Sequence, residues 1–289
     1  LPHSIRAIAE KHLREPKHVK IAAKTQTVAR IEQVHVMVHA DQKVAAVCRL
    51  LEVEDFDALI GFVRTKQATL DLAAALEAKG YKAAALNGDI AQAQREKVIE
   101  SLKNGTLDIV IATDVAARGI DVPRITHVLN VDMPYDPESY VHRIGRTGRA
   151  GRDGRALLLV TPRERRMLQV IERVTGQKVV EAHLPGPQQV LDARIRKLTD
   201  TLRPLLAEAE DTHGALFDRL LADLECTPHA LAAALLRKAT NGQSLNLADL
   251  EREQPLVPGP VRERRERDSS ARSEYRERGE RRAPAPIAE

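Results

Sequence analysis

Between residues 57 and 161 short apolar runs alternate with amphipathic stretches, the pattern of a parallel sheet covered by helices. Apolar runs at 58–63, 81–86, 108–112, 126–131 and 155–160 predict strands. The stretches between them predict helices at 66–79, 91–103 and 137–144. Several helix ends are legible. Gly80 and Gly105 follow the first two helices as C-terminal caps, and Asp136-Pro137 opens the third as N-cap and first-turn proline. Thr161-Pro162-Arg163-Glu164 reads as a capping box starting another helix toward Thr175-Gly176. The fold class is therefore α/β, with loops at the carboxyl ends of the strands, where such sheets bind ligands.

After Leu184-Pro185-Gly186-Pro187 only helical periodicity remains: 190–209 with a break expected at Pro204, then 216–224, then 230–239 opened by Thr227-Pro228. Leu216, Leu220, Leu221 and Leu224 fall on one face, as do Leu231, Ala234, Leu235 and the stem of Lys238. So few short helices make a thin core. The 188–250 module is expected to pack on another surface, either a second copy of itself, giving a homodimer, or the α/β domain of its own subunit. Residues 251–289 are expected to be a disordered charged tail, because 261–282 holds nine arginines against six acids and no apolar periodicity. Two readings of that tail stand, a weak RNA-binding arm and a solvating linker.

Composition narrows the partners. The formal net charge of the 289 residues is +4, most of it in the tail. Aromatic residues are 2% of the chain and tryptophan is absent, which argues against recognition by base stacking and points to a nucleic-acid backbone. No run approaches the roughly 18 apolar residues of a membrane span, and Leu1-Pro2-His3-Ser4 lacks the basic-then-apolar pattern of a signal peptide. A soluble, cytoplasmic protein is expected. Cys48 and Cys226 fit neither a disulfide framework nor metal-ligand spacing, and both are expected to be buried and reduced.

Two segments carry candidate chemistry. His142-Arg143-Ile144-Gly145-Arg146-Thr147-Gly148-Arg149 places three arginines and a histidine on one helical turn and the bend after it. Guanidinium groups stay charged at physiological pH and present planar forks of donors that match phosphate oxygens. The plain alternative is a solvated basic helix end. Upstream, strand 108–112 runs into Thr113-Asp114-Val115-Ala116-Ala117-Arg118-Gly119-Ile120-Asp121. There Thr113 and the Gly119 backbone can approach a phosphate, and Asp121 can accept from a ribose hydroxyl. The plain alternative here is a capped helix start.

The pair of segments resembles motifs V and VI of superfamily 2 helicases, specifically the second RecA-like domain of DEAD-box RNA helicases. Phe62-Val63-Arg64-Thr65 resembles motif IV, Asn87-Gly88-Asp89 the RNA-contacting turn after it, and Gln92-Ala93-Gln94-Arg95 the Gln-x-x-Arg element. The resemblance covers about 20–184, and the text around 62–69 and 115–152 is similar to the bacterial cold-shock DeaD/CsdA type. It implies a RecA-like parallel sheet with helices on both faces over 21–184, and local, ATP-dependent RNA unwinding or remodelling in cold adaptation, ribosome assembly or RNA decay.

Residue by residue, the resemblance implies that Arg146 and Arg149 act as arginine fingers on the γ-phosphate. His142 would link the nucleotide state to the partner domain, and Gly119 and Asp121 would hold the nucleotide. Arg64, Thr65, Gly88, Thr113 and Gly119 would grip the RNA sugar-phosphate backbone, with Arg95 bracing that surface. Arg118 and Arg143 are expected as structural salt-bridge partners. No Gly-x-x-x-x-Gly-Lys-Ser/Thr and no Asp-Glu-Ala-Asp occurs, so no metal ligands are expected in this chain. Magnesium and the β-phosphate fall to a first RecA-like domain, of which 1–20 would be the end and the interdomain linker. The chain is expected to be part of a longer enzyme, inactive on its own and partnered by that first domain. Two other classes stand beside this reading. One is an ATP-independent RNA-binding or annealing module. The other is a superfamily 2 DNA translocase, which His142 and Arg118-Gly119-Ile120-Asp121 disfavour.

Overall fold

The computed structural model of the chain describes residues 3–14, 30–149, 151–208, 214–240 and 244–252. The charged tail beyond 252 and the expected linker residues 15–20 lie outside the described residues. The chain divides into two compact units.

The first unit takes in 1–36, 54–159 and 166–182. After helix α1 (His3–His12), it holds strands β1 (Ile31–Met37), β2 (Ala58–Phe62), β3 (Ala83–Leu86), β4 (Ile109–Ala112), β5 (Ile125–Asn130), β6 (Gly154–Val160) and β7 (Val180–Ala182). Helices α3 (Lys66–Ala78), α4 (Gln92–Asn104), α5 (Pro137–Ile144) and α6 (Arg165–Thr175) alternate with them. α2 (Lys43–Val53) belongs to the second unit. The strands form one seven-stranded sheet in the order β3-β4-β2-β5-β6-β1-β7.

The described strand pairs are all parallel. Strands of a sheet covered on both faces read as continuous apolar runs rather than alternating ones. Ala-Leu-Ile-Gly-Phe in β2 and Ile-Val-Ile-Ala in β4 do so, with every residue buried. Leu59, Ile60, Ile109, Ile111, Val128 and Leu129 have no exposed surface and form the centre of this core.

The five anticipated strands and three anticipated helices are present, and α5 spans 137–144. Asp136 caps it, accepting from the Ser139 backbone N–H at 2.8 Å. Strands β1 and β7 and helix α2 were not anticipated. The capping box forms with a different partition of bonds: both the backbone N–H and the hydroxyl of Thr161 donate to Glu164 Oε2, at 2.9 and 2.8 Å.

The second unit takes in 37–53, 160–165 and the chain from His183 on. It holds α2, α7 (Pro187–Glu208), α8 (Gly214–Asp223), α9 (Pro228–Ala239) and α10 (Leu247–Arg252). Arg194 joins three of its segments: its guanidinium forks onto Glu52 at 2.5 Å on both sides and donates to the Ser244 carbonyl at 2.6 Å. The expected break at Pro204 does not occur, since α7 runs on to Glu208. Pro204 lies in the exposed last turns of α7, and Asp200, whose carbonyl loses its amide partner, is an exposed residue. Cys48 is buried as expected, whereas Cys226 is only half-buried, at the exposed end of α8.

Candidate active site and nucleic-acid interface

Strand register builds the site. Phe62 pairs with Ala112 on one side and Asn130 on the other, and Leu86 pairs with Ala112. Four parallel strands thus end at one level, and the residues just beyond them leave the sheet side by side. Those residues are Arg64 and Thr65 after β2, Asn87 and Gly88 after β3, Thr113 after β4, and Asp132 to Tyr135 after β5. Chain order doubles back around β2, which lies between β4 and β5, and such switch points are where open α/β sheets hold ligands.

On one half of this rim the predicted backbone-gripping residues come together. Thr65 caps α3, its hydroxyl accepting from the Ala68 N–H at 3.1 Å. Asn87 is buried and donates to Thr69 Oγ1 at 2.9 Å, while its own side-chain oxygen accepts from the Asp89 N–H at 3.1 Å. This fixes the turn that exposes Gly88. Lys66 and Asp89 form an ion pair across the same turn. Arg95 of α4 donates to the Arg118 carbonyl at 2.6 Å, tying α4 to the loop after β4.

On the other half, α5 and the loop after β4 enclose a cleft of about 310 Å³ lined by Phe62, Asp114, Ala117, Arg118, Gly119, Ser139, His142, Arg143 and Arg146. Gly119 has φ +76° and Gly148 φ +67°, a left-handed conformation that favours glycine. Arg143 is buried and structural as expected. It forks onto Asp114 at 2.6 and 2.8 Å, donates to the Asp132 carbonyl at 2.6 Å and lies 5.1 Å over the Phe62 ring. Arg118 departs from expectation: it is exposed at the cleft and, among the described residues, joins no ion pair. It follows two buried alanines on a short turn, where its side chain lines the open cleft while its backbone is held, the N–H donating to the Val115 carbonyl at 3.4 Å and the carbonyl accepting from Arg95.

Arg146 is half-buried. Its Nε donates to the His142 carbonyl at 3.3 Å and its Nη1 to the Ile120 carbonyl at 3.0 Å. Burial and then the charge of Arg149 lower its pKa, with Asp121 opposing. Arg149 donates through Nε to the Gly145 carbonyl at 2.8 Å and forms an ion pair with Asp121, whose side chain is 75% exposed. His142 is exposed at the cleft. The geometry therefore gathers Arg146, Arg149, His142, Gly119 and Asp121 on one side and Arg64, Thr65, Gly88, Thr113 and Arg95 on the other.

Sequence reasoning missed three supporting side chains. Asp114 and Asn130 receive Arg143, and Thr147 is fully buried with its hydroxyl 2.8 Å from the Ile125 and Thr126 carbonyls. Thr147 pins the bend between Arg146 and Arg149 to the start of β5. The position of Asp114 next to Thr113 was the available signal; nothing local marked Thr147 or Asn130.

The family model of the helicase conserved C-terminal domain matches residues 42–151, the stretch that carries this rim and cleft. The chain belongs to the DEAD-box family. It is 36% identical to the E. coli DEAD-box protein SrmB in its complex with regulator of ribonuclease activity A, covering 53% of this chain and 90% of that one, with a TM-score of 0.50. It is 45% identical over 272 residues to the ATP-dependent RNA helicase DeaD of Mycobacterium tuberculosis, covering 93% of this chain and 46% of that protein. The chain thus spans under half the length of that relative. Dbp5 of S. cerevisiae bound to RNA and ADP BeF3 is 28% identical, with a TM-score of 0.58 over 68% of this chain and 52% of that one. No described helix is long and apolar enough to cross a membrane.

Proposed function

We propose that this chain supplies the second half of the nucleotide site and the RNA-backbone surface of an ATP-dependent RNA helicase that remodels RNA locally in the cytoplasm, in the setting of cold adaptation, ribosome assembly or RNA decay. The observation that carries the reading is the bonding of Arg146. Two carbonyls hold it at the cleft edge and, among the described residues, no carboxylate pairs with it, so its charge is left for an incoming phosphate. Arg149 is tethered to the exposed Asp121, a weak solvent-screened pair that a ribose and a phosphate could divide between them.

ATP is the substrate whose bond cleavage drives the cycle, with magnesium held by a first RecA-like domain. In this chain Arg146 and Arg149 stabilise the charge of the departing phosphoryl group, Asp121 orients the sugar, and His142 senses the facing domain from the cleft mouth. Arg64, Thr65, Gly88, Thr113 and Gly119 hold sugar and phosphate, with Arg95 fixing the loop that carries Gly119. Such a grip reads no base sequence.

A chimera in which this chain replaces the matching part of M. tuberculosis DeaD tests the reading. RNA-stimulated ATPase should appear, and Arg146→Ala should lower it by about 10³-fold or more with RNA affinity kept. RNA binding with no ATPase would favour an annealing module instead, and stimulation by DNA equal to that by RNA a DNA translocase.

The helical module is proposed to pair with a second copy. The support is α8, none of whose residues is buried: Leu216, Phe217 and Leu220 are 57%, 37% and 40% exposed, and Leu224 just beyond is 58% exposed. Sedimentation should give a concentration-dependent dimer that Leu220→Asp abolishes; a monomer at all concentrations would remove the proposal.

A further inference from the structure

Arg64 differs from the other cations of the rim in how it is held. Its backbone N–H donates to Asp132 Oδ2 at 2.9 Å, its Nη2 donates to the Met133 carbonyl at 3.3 Å, and its Cζ lies 5.2 Å from the centre of the Tyr135 ring. Among the described residues no carboxylate forms an ion pair with its guanidinium. The group is exposed, so a full positive charge faces solvent at the carboxyl end of β2 with most of its donors uncommitted.

Tyr135 is equally unusual. It is 65% exposed in a chain with 2% aromatic residues. The ring is not packed into the core, and among the described residues the one charged group placed against its face is the Arg64 guanidinium. Its backbone is stiff, because it sits between Pro134 and Asp136-Pro137. A residue before proline is driven to extended geometry, and Asp136 has φ −152° and ψ 163° with its carboxylate locked as the cap of α5. The backbone that carries the ring is thereby held in place, and the ring lies within stacking range of the guanidinium.

From this juxtaposition we propose that Tyr135 is a positioning residue for RNA binding: it stacks on Arg64 and holds that guanidinium in the orientation that receives a backbone phosphate. The inference rests on the RNA-backbone reading above and adds a residue to it. An exposed arginine loses considerable rotamer freedom when it closes on a phosphate. Stacking on Tyr135 and the bond to the Met133 carbonyl remove that freedom before RNA arrives, leaving the opposite edge of the fork to the ligand. The ring is an unusual way to do this on a surface otherwise built of backbone donors and helix caps.

Binding of the whole chain to a labelled single-stranded oligouridine, followed by fluorescence anisotropy across a salt series, tests the proposal. Tyr135→Ala should weaken binding about 2- to 5-fold, the range of an exposed cation–π contact, and Tyr135→Phe should restore the parent affinity because the ring face is kept. Arg64→Ala should weaken binding further and reduce the slope of log K against log salt by about one. The double variant should bind like Arg64→Ala alone. Unchanged binding in Tyr135→Ala, failure of Tyr135→Phe to rescue, or additive losses in the double variant would each overturn the positioning role, the last by showing that the ring meets RNA directly. If the parent chain shows no salt-dependent RNA binding, or Arg64→Ala binds as well as the parent, the backbone grip itself falls and the positioning role with it.

Discussion

The guanidinium of Arg143 stands 5.1 Å over the Phe62 ring while its Nε and Nη2 donors close on the two oxygens of Asp114. One buried side chain therefore joins the end of β2, the loop after β4 and helix α5, the three segments that frame the cleft. Removing one partner of a buried ion pair costs about 3–5 kcal/mol, because the other charge is left without compensation. Asp114 is 34% exposed, which places Arg143→Ala near the lower end of that range. Urea unfolding should show the loss. Arg143→Lys should recover only part of it, since an ammonium cannot fork or stack as a guanidinium does.

The pair Arg149 and Asp121 should behave in the opposite way. With the carboxylate 75% exposed, the pair contributes at most about 1 kcal/mol to stability. Asp121→Ala should leave the melting temperature within about 2 °C of the parent chain. In the DeaD chimera it should raise the KM for ATP, because both the proposed sugar contact and the ion pair that places Arg149 are lost. A large fall in stability with unchanged KM would show that the pair is structural.

How far these contacts could be read from the chain depends on whether their partners are local. Helix α5 spans 137–144 as its cap and proline indicate, because Asp136, Pro137 and Ser139 decide it among themselves. The central strands were legible as unbroken apolar runs. Strand β1 was not, for it buries Gln33 and His35, which look like surface residues in sequence. Gln33 accepts from the Tyr140 hydroxyl at 2.9 Å and His35 Nδ1 lies 3.0 Å from the Val179 carbonyl, partners more than 100 residues away that satisfy the buried polar groups. β7 has three residues and exists by pairing with β1, so it was hidden for the same reason. The arginines at 146 and 149 were legible as a pair, whereas the division of labour between free Arg118 and buried Arg143 was not. Both are arginines followed by a small or apolar residue, and only the positions of Asp114 and Phe62 in space separate them.

Gly154 should be the least replaceable glycine near the site. A Cβ there would lie 2.6 Å from Thr147 Oγ1 and 2.7 Å from the Gly148 backbone nitrogen, and the second of these cannot move without shifting the bend that carries Arg146 and Arg149. Overpacking of this kind costs about 1–3 kcal/mol. Gly154→Ala should therefore lower both the urea midpoint and the ATPase of the chimera, with the loss of activity larger than that of a chain destabilised equally by Glu54→Gln, a site outside the cleft. Full activity in Gly154→Ala would mean that the bend is not fixed from beneath.

Acid stability should depend on Glu54. Burial by itself would raise its pKa, but the hydrogen bond with His127 and the charge of Arg155 outweigh burial and hold it below its ordinary value of 4.5. His127 Nε2 lies 3.4 Å and Arg155 Nε 3.1 Å from the same Glu54 oxygen, the latter without hydrogen-bond alignment, so that attraction is chiefly coulombic. A carboxylate whose folded pKa is depressed binds protons more readily when unfolded. Its contribution is complete at neutral pH, begins to fade as the pH falls toward 4.5, and is gone once the pH passes below the folded value. Glu54→Gln should then be about 1 kcal/mol less stable than the parent at pH near 7, the site being only partly shielded from water. The difference should shrink as the pH is lowered through 4.5, with the parent losing stability more steeply than the variant. Chemical denaturation at a series of pH values reads this directly, and parallel curves for the two proteins would show that Glu54 is not held in its charged form.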